Sequence, residues 1–293
     1  MPITYDMPLY RPPSEGNNLI VQATLGCSFN HCTFCSMYKS KTYQARPLDS
    51  VFAEIDVMSK NLPQTDRVFL ADGDALTLPT DHLVSLLNHL SEKFQNLTRV
   101  STYATPKNLL DKTPEELALL REKGLKLVYL GIESGANLIL KRIIKGASQK
   151  THAKAIQRAR DAGLKISGTV ILGLGGRKDW LAHIEGTAEL INKAPPTYLS
   201  TLQLRLDDDT FEDFMKTQPE GFSFQDDAGM LKEQERLISL LNPPRPVIFR
   251  SNHASNALAL AGNLPRDRER LLGQIEAVRS GASKVRPEFL RGL

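Results

Sequence analysis

Between residues 19 and 206, short apolar runs of strand length alternate with stretches of helical period, and this alternation constrains the fold more than any other feature. Residues 19–24 (LIVQAT) read as a buried strand, 48–62 as a helix and 67–71 (RVFLA) as a second strand. A helix from Thr80, with Asp81 in its first turn, runs to about residue 94, and 99–103 reads as a third strand. Thr113, Pro114, Glu115 and Glu116 supply an N-cap, a proline at the first helical position and first-turn acids, and Gly124 closes that helix. Strands at 125–131, 164–172 and 198–206 follow, with helices at 136–144, 149–162 and 180–193 between them. Repeated β-then-α units predict a parallel sheet closed, or nearly closed, into a barrel. Beyond 206 the pattern loosens. Residues 207–229 are acidic and irregular, and a helix lies around 231–241. Pro243, Pro244 and Pro246 then precede a short strand at 247–250, and a last helix spans about 266–280. No linker, repeat or low-complexity segment divides the chain. One catalytic domain is expected, with 1–18 as an N-terminal extension, 19–206 as the core and 207–293 as a C-terminal extension.

Composition excludes several function classes. Of 293 residues, 41% are hydrophobic, ample for a large core, yet no apolar run approaches the ~20 residues of a membrane helix. The first sixteen residues carry Asp, Arg, Glu and prolines rather than the apolar core of a signal peptide, so a cytoplasmic protein without a membrane partner is expected. The formal charge of +4 is spread along the chain, not clustered as in a nucleic-acid binder. Residues 266–291 are locally basic but interleaved with Asp267, Glu269, Glu276 and Glu288, the pattern of a solvated helix.

The three cysteines are Cys27, Cys32 and Cys35, crowded into nine residues just beyond the first strand. An odd number so placed cannot form a disulfide framework, and free thiols suit a reducing compartment. Three thiolates aimed into one small volume hold a metal or a cluster. In α/β barrels the C-terminal strand ends carry the active site, which is where this loop falls. A [4Fe–4S] cubane usually takes four thiolates, so three leave one iron open to the amino and carboxylate groups of an amino-acid-like ligand. A Cys₃His zinc site using His31 is the alternative. His31 sits awkwardly next to Cys32, and the usual second ligand pair is missing.

The loop resembles the cluster motif of the radical S-adenosylmethionine (SAM) superfamily, with C-x4-C-x2-C here in place of the common C-x3-C-x2-C. Phe34 matches the aromatic that precedes the third cysteine and lies against the SAM adenine. Asp72-Gly73-Asp74, after the second strand, stands where the superfamily carries a Gly-Gly-Glu-like turn, so Gly73 and Asp74 are assigned to the cationic SAM amino group. Gly131-Ile132-Glu133-Ser134-Gly135 resembles the segment of the tRNA-modifying and coproporphyrinogen-oxidase branches whose acid contacts SAM, often at its ribose hydroxyls. That assigns Glu133 to SAM, with Ser134 readable as a helix N-cap. Lys145, in a basic-Gly-x-Ser segment, is matched to the SAM carboxylate, and Gly173 to a glycine patch beside the adenine. The resemblance covers about 19–206 and implies a (β/α)6-type partial TIM barrel with N- and C-terminal extensions.

It further implies two cofactors, a [4Fe–4S] cluster and SAM, and a 5′-deoxyadenosyl radical acting on an unidentified substrate. No cysteine remains for an auxiliary cluster, so a separate one-electron donor of flavodoxin or ferredoxin type is the expected partner. Candidate substrate contacts are Gln203 and Arg205 on the sixth strand and Arg250, Asn252 and His253 after the late strand, with Asn256 close behind. His183 reads as packed or solvated rather than catalytic. Two other classes stay open: an iron–sulfur electron-transfer or sensor protein that does not cleave SAM, and a zinc-stabilised binding protein.

Overall fold

Residues 5–291 are described in a computed structural model. In chain order the elements begin with β1 (Leu19–Gln22), β2 (Thr24–Leu25), β3 (Gln44–Ala45), α1 (Leu48–Asn61), β4 (Arg67–Ala71) and α2 (Thr80–Lys93). Next come β5 (Arg99–Ala104), α3 (Pro106–Asp111), α4 (Pro114–Glu122), β6 (Leu125–Glu133), α5 (Asn137–Arg142) and α6 (Gln149–Asp161). The chain continues through β7 (Lys165–Leu172), α7 (Gly176–Lys193), β8 (Tyr198–Gln203) and α8 (Asp208–Lys216). It ends with α9 (Asp227–Leu240), β9 (Val247–Ser251), β10 (Leu260–Leu264) and α10 (Arg268–Arg279).

Two compact units form. Among the described residues, the first holds 5–30, Cys35–Leu130 and Gln157–Ile166; the second holds His31–Phe34, Gly131–Ile156 and 167–291. In the first, β1, β4, β5 and β6 pair in parallel, with Leu19 opposite Val68 and Arg67 opposite Arg99. Val21, Phe69, Leu70, Val100 and Val128 of these strands are buried, as are Val51, Ile55 and Met58 of α1 and Leu83, Leu86, Leu87 and Leu90 of α2. Those helical residues recur at three- and four-residue spacing, which puts them on one face of each helix. The α4 start is the one read from the sequence, a reciprocal capping box between Thr113 and Glu116. A second capping box, Thr105 with Asn108, opens the six-residue α3, which is too short to leave a periodic pattern. The two-residue strands β2 and β3 pair antiparallel, Thr24 opposite Ala45 and Leu25 opposite Gln44, and so join the two ends of the cysteine loop.

In the second unit β7 pairs in parallel with β8, and β8 with β9, while β10 returns antiparallel along β9. Residues after 207 therefore extend the sheet. Three expectations change here. β8 stops at Gln203, leaving Arg205 beyond the strand. The acidic stretch expected to be irregular contains α8, whose Asp208 and Asp209 favour the positive helix start and whose Phe214 is fully buried. β10 had no strand signature because Gly262 and Asn263 interrupt it; pairing with β9 holds it extended. The sheets are mainly parallel, and among the described residues no pairing closes them into a full barrel. No helix among the described residues is long and apolar enough to cross a membrane.

Candidate functional site

In the first unit, the ends of β1 and β4 lie side by side, Gln22 opposite Ala71, and the Asp72-Gly73-Asp74 turn follows directly. Asp72 is fully buried; its carboxylate accepts from the Gly26 N–H at 3.0 Å, from Gln22 Nε2 at 3.1 Å and from Lys41 Nζ at 3.0 Å. Lys41 also pairs with Asp6 at 2.9 Å, which balances the buried carboxylate with a cation held from two sides. The Gly73 N–H donates to the Gly26 carbonyl at 3.0 Å. Asp74 accepts from the Ser28 N–H at 2.8 Å, from the Ser28 hydroxyl and, at 3.4 Å, from Asn108 Nδ2. Burial pushes the Asp74 carboxyl up, and the bonds from Ser28 and Asn108 oppose that. Cys27 is thus gripped on both sides, through Gly26 by Asp72 and through Ser28 by Asp74. A Cβ at Gly73 would stand 2.7 Å from the Cys27 Cβ, so only glycine lets the turn lie this close. The sequence assigned this turn to the SAM amino group; its two carboxylates are engaged by the cysteine loop.

In the second unit, the Thr33 N–H donates to the Ile143 carbonyl at 3.1 Å. Phe34 packs on the cluster of Ile139, Ile143, Leu174 and Phe214. Glu133 ends β6 with φ +61°, a left-handed backbone uncommon outside glycine, and its carboxylate pairs with Lys145 Nζ at 2.9 Å. Lys145 is therefore Glu133's partner here. Ser134 does not cap α5, whose N-cap is Ala136. Its hydroxyl lies 2.8 Å from His183 Nδ1 and accepts from the Ala136 N–H at 3.0 Å. His183 Nε2 lies 3.0 Å from the Ile171 carbonyl, so Nε2 carries the proton and Nδ1 accepts from Ser134. Burial pushes the imidazole down to about 4, with the Ile171 bond opposing, and of the packed and solvated readings His183 takes the packed one. Nearby, burial and the Lys145 charge push His152 down to about 4 as well.

Gly173, at the end of β7, has φ +89° and donates its N–H to Glu233 at 2.7 Å. Gln225 Nε2 reaches both Glu233, at 3.2 Å, and the Gly176 carbonyl, at 3.3 Å. Helix α9 and the segment before it thereby grip the glycine turn from both ends. Glu233 is fully buried, and burial pushes its carboxyl up to about 7, against the bonds from Gly173 and Gln225. Sequence reasoning missed it. The available signal was an acid at position 233 among Met230, Leu237 and Ile238, which share the buried face of α9.

The substrate candidates divide. Gln203, at the end of β8, and Asn252 and His253, just past β9, lie at the same end of parallel strands. Arg205 and Arg250 are exposed, bonded to the backbone carbonyls of Arg291 and Phe249. Asn256 is buried and stitches strands together, accepting from the Gln203 N–H at 3.0 Å and donating to the Thr201 carbonyl at 2.7 Å. Burial, then the Arg286 charge, pushes His253 down, and its Nδ1 lies 2.7 Å from the Ser255 hydroxyl.

The cysteine loop fits an iron–sulfur cluster. None of its three cysteines is in a disulfide and all are half-buried, and thiolates are the ligands such clusters take. No three His, Cys, Asp or Glu side chains among the described residues converge on a single-ion centre. A cubane binds each thiolate to a different iron, so its ligands stand apart. The buried Tyr38 hydroxyl, on the loop, has no hydrogen-bond partner among the described residues. An unpaired donor enclosed there suits a group rich in sulfur acceptors.

Residues 21–191 match the family described as the radical SAM superfamily. The chain is similar to the heme chaperone HemW of Bacillus subtilis (strain 168), 24% identical over 161 residues, covering 53% of this chain and 42% of that protein. It is also similar to the tRNA-2-methylthio-N(6)-dimethylallyladenosine synthase of Hahella chejuensis, 26% identical over 197 residues, covering 62% of this chain and 42% of that one. A solved structure of coproporphyrinogen III oxidase from Escherichia coli, described as a radical SAM enzyme, superposes with a TM-score of 0.58 at 16% identity. That match covers 76% of this chain and 51% of the other, and it shows the fold. The chain spans about two fifths of the length of the curated relatives it matches.

Proposed function

The chain belongs to the radical SAM superfamily, and on that premise we propose that it is an enzyme that cleaves SAM at a [4Fe–4S] cluster held by Cys27, Cys32 and Cys35. When bound, the cluster supplies one electron to the SAM sulfonium, and cleavage of the C5′–S bond gives methionine and a 5′-deoxyadenosyl radical that takes a hydrogen atom from the substrate. The observation that most supports this reading is the double grip on Cys27 by Asp72 and Asp74, which orients a thiolate at a strand end inside the matched segment.

Gly73 and Asp74 border the cluster loop and are proposed to meet the SAM amino group, the Asp74 carboxylate acting mainly through Ser28. Phe34 is proposed as an aromatic surface for adenine, and Glu133 is proposed to accept from the ribose hydroxyls. Lys145 pairs with that carboxylate and is proposed to provide a cation for the SAM carboxylate. Gly173, whose N–H is turned to Glu233 and whose side-chain position is filled by Met230, is proposed to lie beside the nucleoside through its backbone. Gln203, Asn252 and His253 are the substrate-facing candidates, with Arg205 and Arg250 available from exposed positions. Residues 19–206 are proposed as the catalytic core and 207–293 as an extension packed on it. A separate flavodoxin- or ferredoxin-type protein is proposed as the electron donor. A reducing, cytoplasmic setting suits such a cluster.

Anaerobic reconstitution with iron and sulfide tests this reading. The expected result is about four irons and four sulfides per chain, lost in Cys27→Ala, Cys32→Ala and Cys35→Ala. A colourless protein holding about one zinc per chain overturns it.

A further inference from the structure

In the second unit, three neighbouring parallel strands bring one row of polar side chains into register. Thr169 of β7 stands opposite Ser200 of β8, and Ser200 stands opposite Arg250 of β9. Residues in register on paired strands point to the same side of a sheet, and successive residues to opposite sides. The opposite side is the one a helix covers. Val170, Leu199, Thr201, Phe249 and Ser251 are all buried there, and Gln234 of α9 donates to the Thr201 hydroxyl at 3.4 Å. The row itself stays accessible, with Thr169 and Ser200 half-buried and Arg250 exposed. It lies near the C-terminal ends of its strands, the end at which α/β barrels bind their ligands.

The surroundings of Arg250 set the charge of what the row can hold. Its Nη1 donates to the Phe249 carbonyl at 2.8 Å, a neutral acceptor, and it forms no ion pair among the described residues. Arg236, Arg279 and Arg291 of the same unit, by contrast, each meet a carboxylate. A guanidinium offers a planar fork of donors, and the two hydroxyls beside it add single donors, a set that fits the oxygens of a carboxylate or phosphate. With neighbouring strands about 4.8 Å apart, the row is roughly 10 Å long, enough for one such group. The adjoining rows are more apolar: Ile171 with Leu202 toward the strand ends, and Tyr198 with Ile248 on the other side. A ligand lying across them carries hydrocarbon or a ring next to its anionic group.

We infer that the Thr169, Ser200 and Arg250 row binds a carboxylate or phosphate group of the substrate, which makes the substrate an organic anion. That the ligand is a substrate rests on the radical SAM reading given above; that the row binds an anion rests on its own geometry. Anchoring the charged end leaves the adjoining carbon framework as the part offered to a radical that takes hydrogen from a C–H bond.

The test measures binding of two probes, inorganic phosphate and butyrate, and of SAM, to the reconstituted full chain by isothermal titration calorimetry. Wild type is expected to bind about one equivalent of at least one probe, and which probe binds tells which group the substrate carries. Arg250→Gln should weaken that binding about tenfold, the loss of a charge-assisted bond, and Ser200→Ala several-fold. SAM affinity is expected to be unchanged in both. Ser200→Ala keeps the inference testable even where Arg250→Gln fails to fold. Probe binding as tight as wild type in the variants overturns the inference. A parallel fall in SAM affinity also overturns it, because the row would then hold the carboxylate of SAM itself. A protein that takes up iron and cleaves SAM but binds neither probe overturns the inference and leaves the cluster reading standing. One that binds a probe through Arg250 but takes up no iron keeps the anion site and overturns the cluster reading, and with it the substrate assignment.

Discussion

His183 makes the Glu133-Ser134-Gly135 turn sensitive to pH in a way that can be worked out from its surroundings. The imidazole is fully buried, accepts from Ser134 and donates to the Ile171 carbonyl, so it is satisfied only when neutral. Burial holds it at about 4 in the folded protein, against 6.5 in an unfolded chain. A folded value below the unfolded one means that the contribution is fully present above pH 6.5 and is lost as pH falls toward 4. At pH 5 most unfolded chains carry the proton and few folded ones do, which removes about 2 kcal/mol relative to pH 8. Other groups titrate over the same range, His152 among them, so the informative quantity is a difference between proteins. Urea unfolding of wild type and His183→Gln, in the apo form under reductant at pH 8, 7, 6 and 5, isolates it. The variant is expected to be less stable at pH 8 and to lose about 2 kcal/mol less than wild type between pH 8 and pH 5. Parallel stability–pH curves would refute the reasoning, because they would mean that His183 is solvated or already charged in the folded state.

Three further outcomes are expected. Gly73→Ala puts a methyl 2.7 Å from the Cys27 Cβ and should displace the first ligand, read as a several-fold faster loss of cluster absorbance in air with secondary structure intact. Glu133→Ala should retain the cluster and bind SAM at least tenfold more weakly by equilibrium dialysis, the loss of roughly one charged hydrogen bond; unchanged affinity removes Glu133 from the site. Glu233→Leu leaves the Gly173 N–H without its acceptor and should cost about 1–3 kcal/mol in urea unfolding, together with weaker SAM binding. Wild-type stability and affinity would show that the grip on the glycine turn is dispensable.

What could be read in advance followed from locality. The β4 strand is a run of five residues, RVFLA, with four buried, and the apolar pattern alone marks it. The α4 start is written in Thr113, Pro114 and Glu116, whose hydrogen bonds close within one turn. The cysteine loop is equally local, three thiols within nine residues. The parts that escaped depend on partners distant in sequence. β10 is extended because β9 lies beside it, and Glu233 matters because Gly173, sixty residues earlier, points an N–H at it. The Asp72-Gly73-Asp74 turn was placed correctly at a strand end, but which groups its carboxylates meet depends on how the loop 46 residues earlier folds back.

The most direct test of the central claim is anaerobic incubation of the reconstituted protein with SAM and dithionite, measuring 5′-deoxyadenosine. The account predicts its formation by the wild type and its absence in each of Cys27→Ala, Cys32→Ala and Cys35→Ala. An iron–sulfur protein that never cleaves SAM, or 5′-deoxyadenosine formed equally by the cysteine variants, would contradict it.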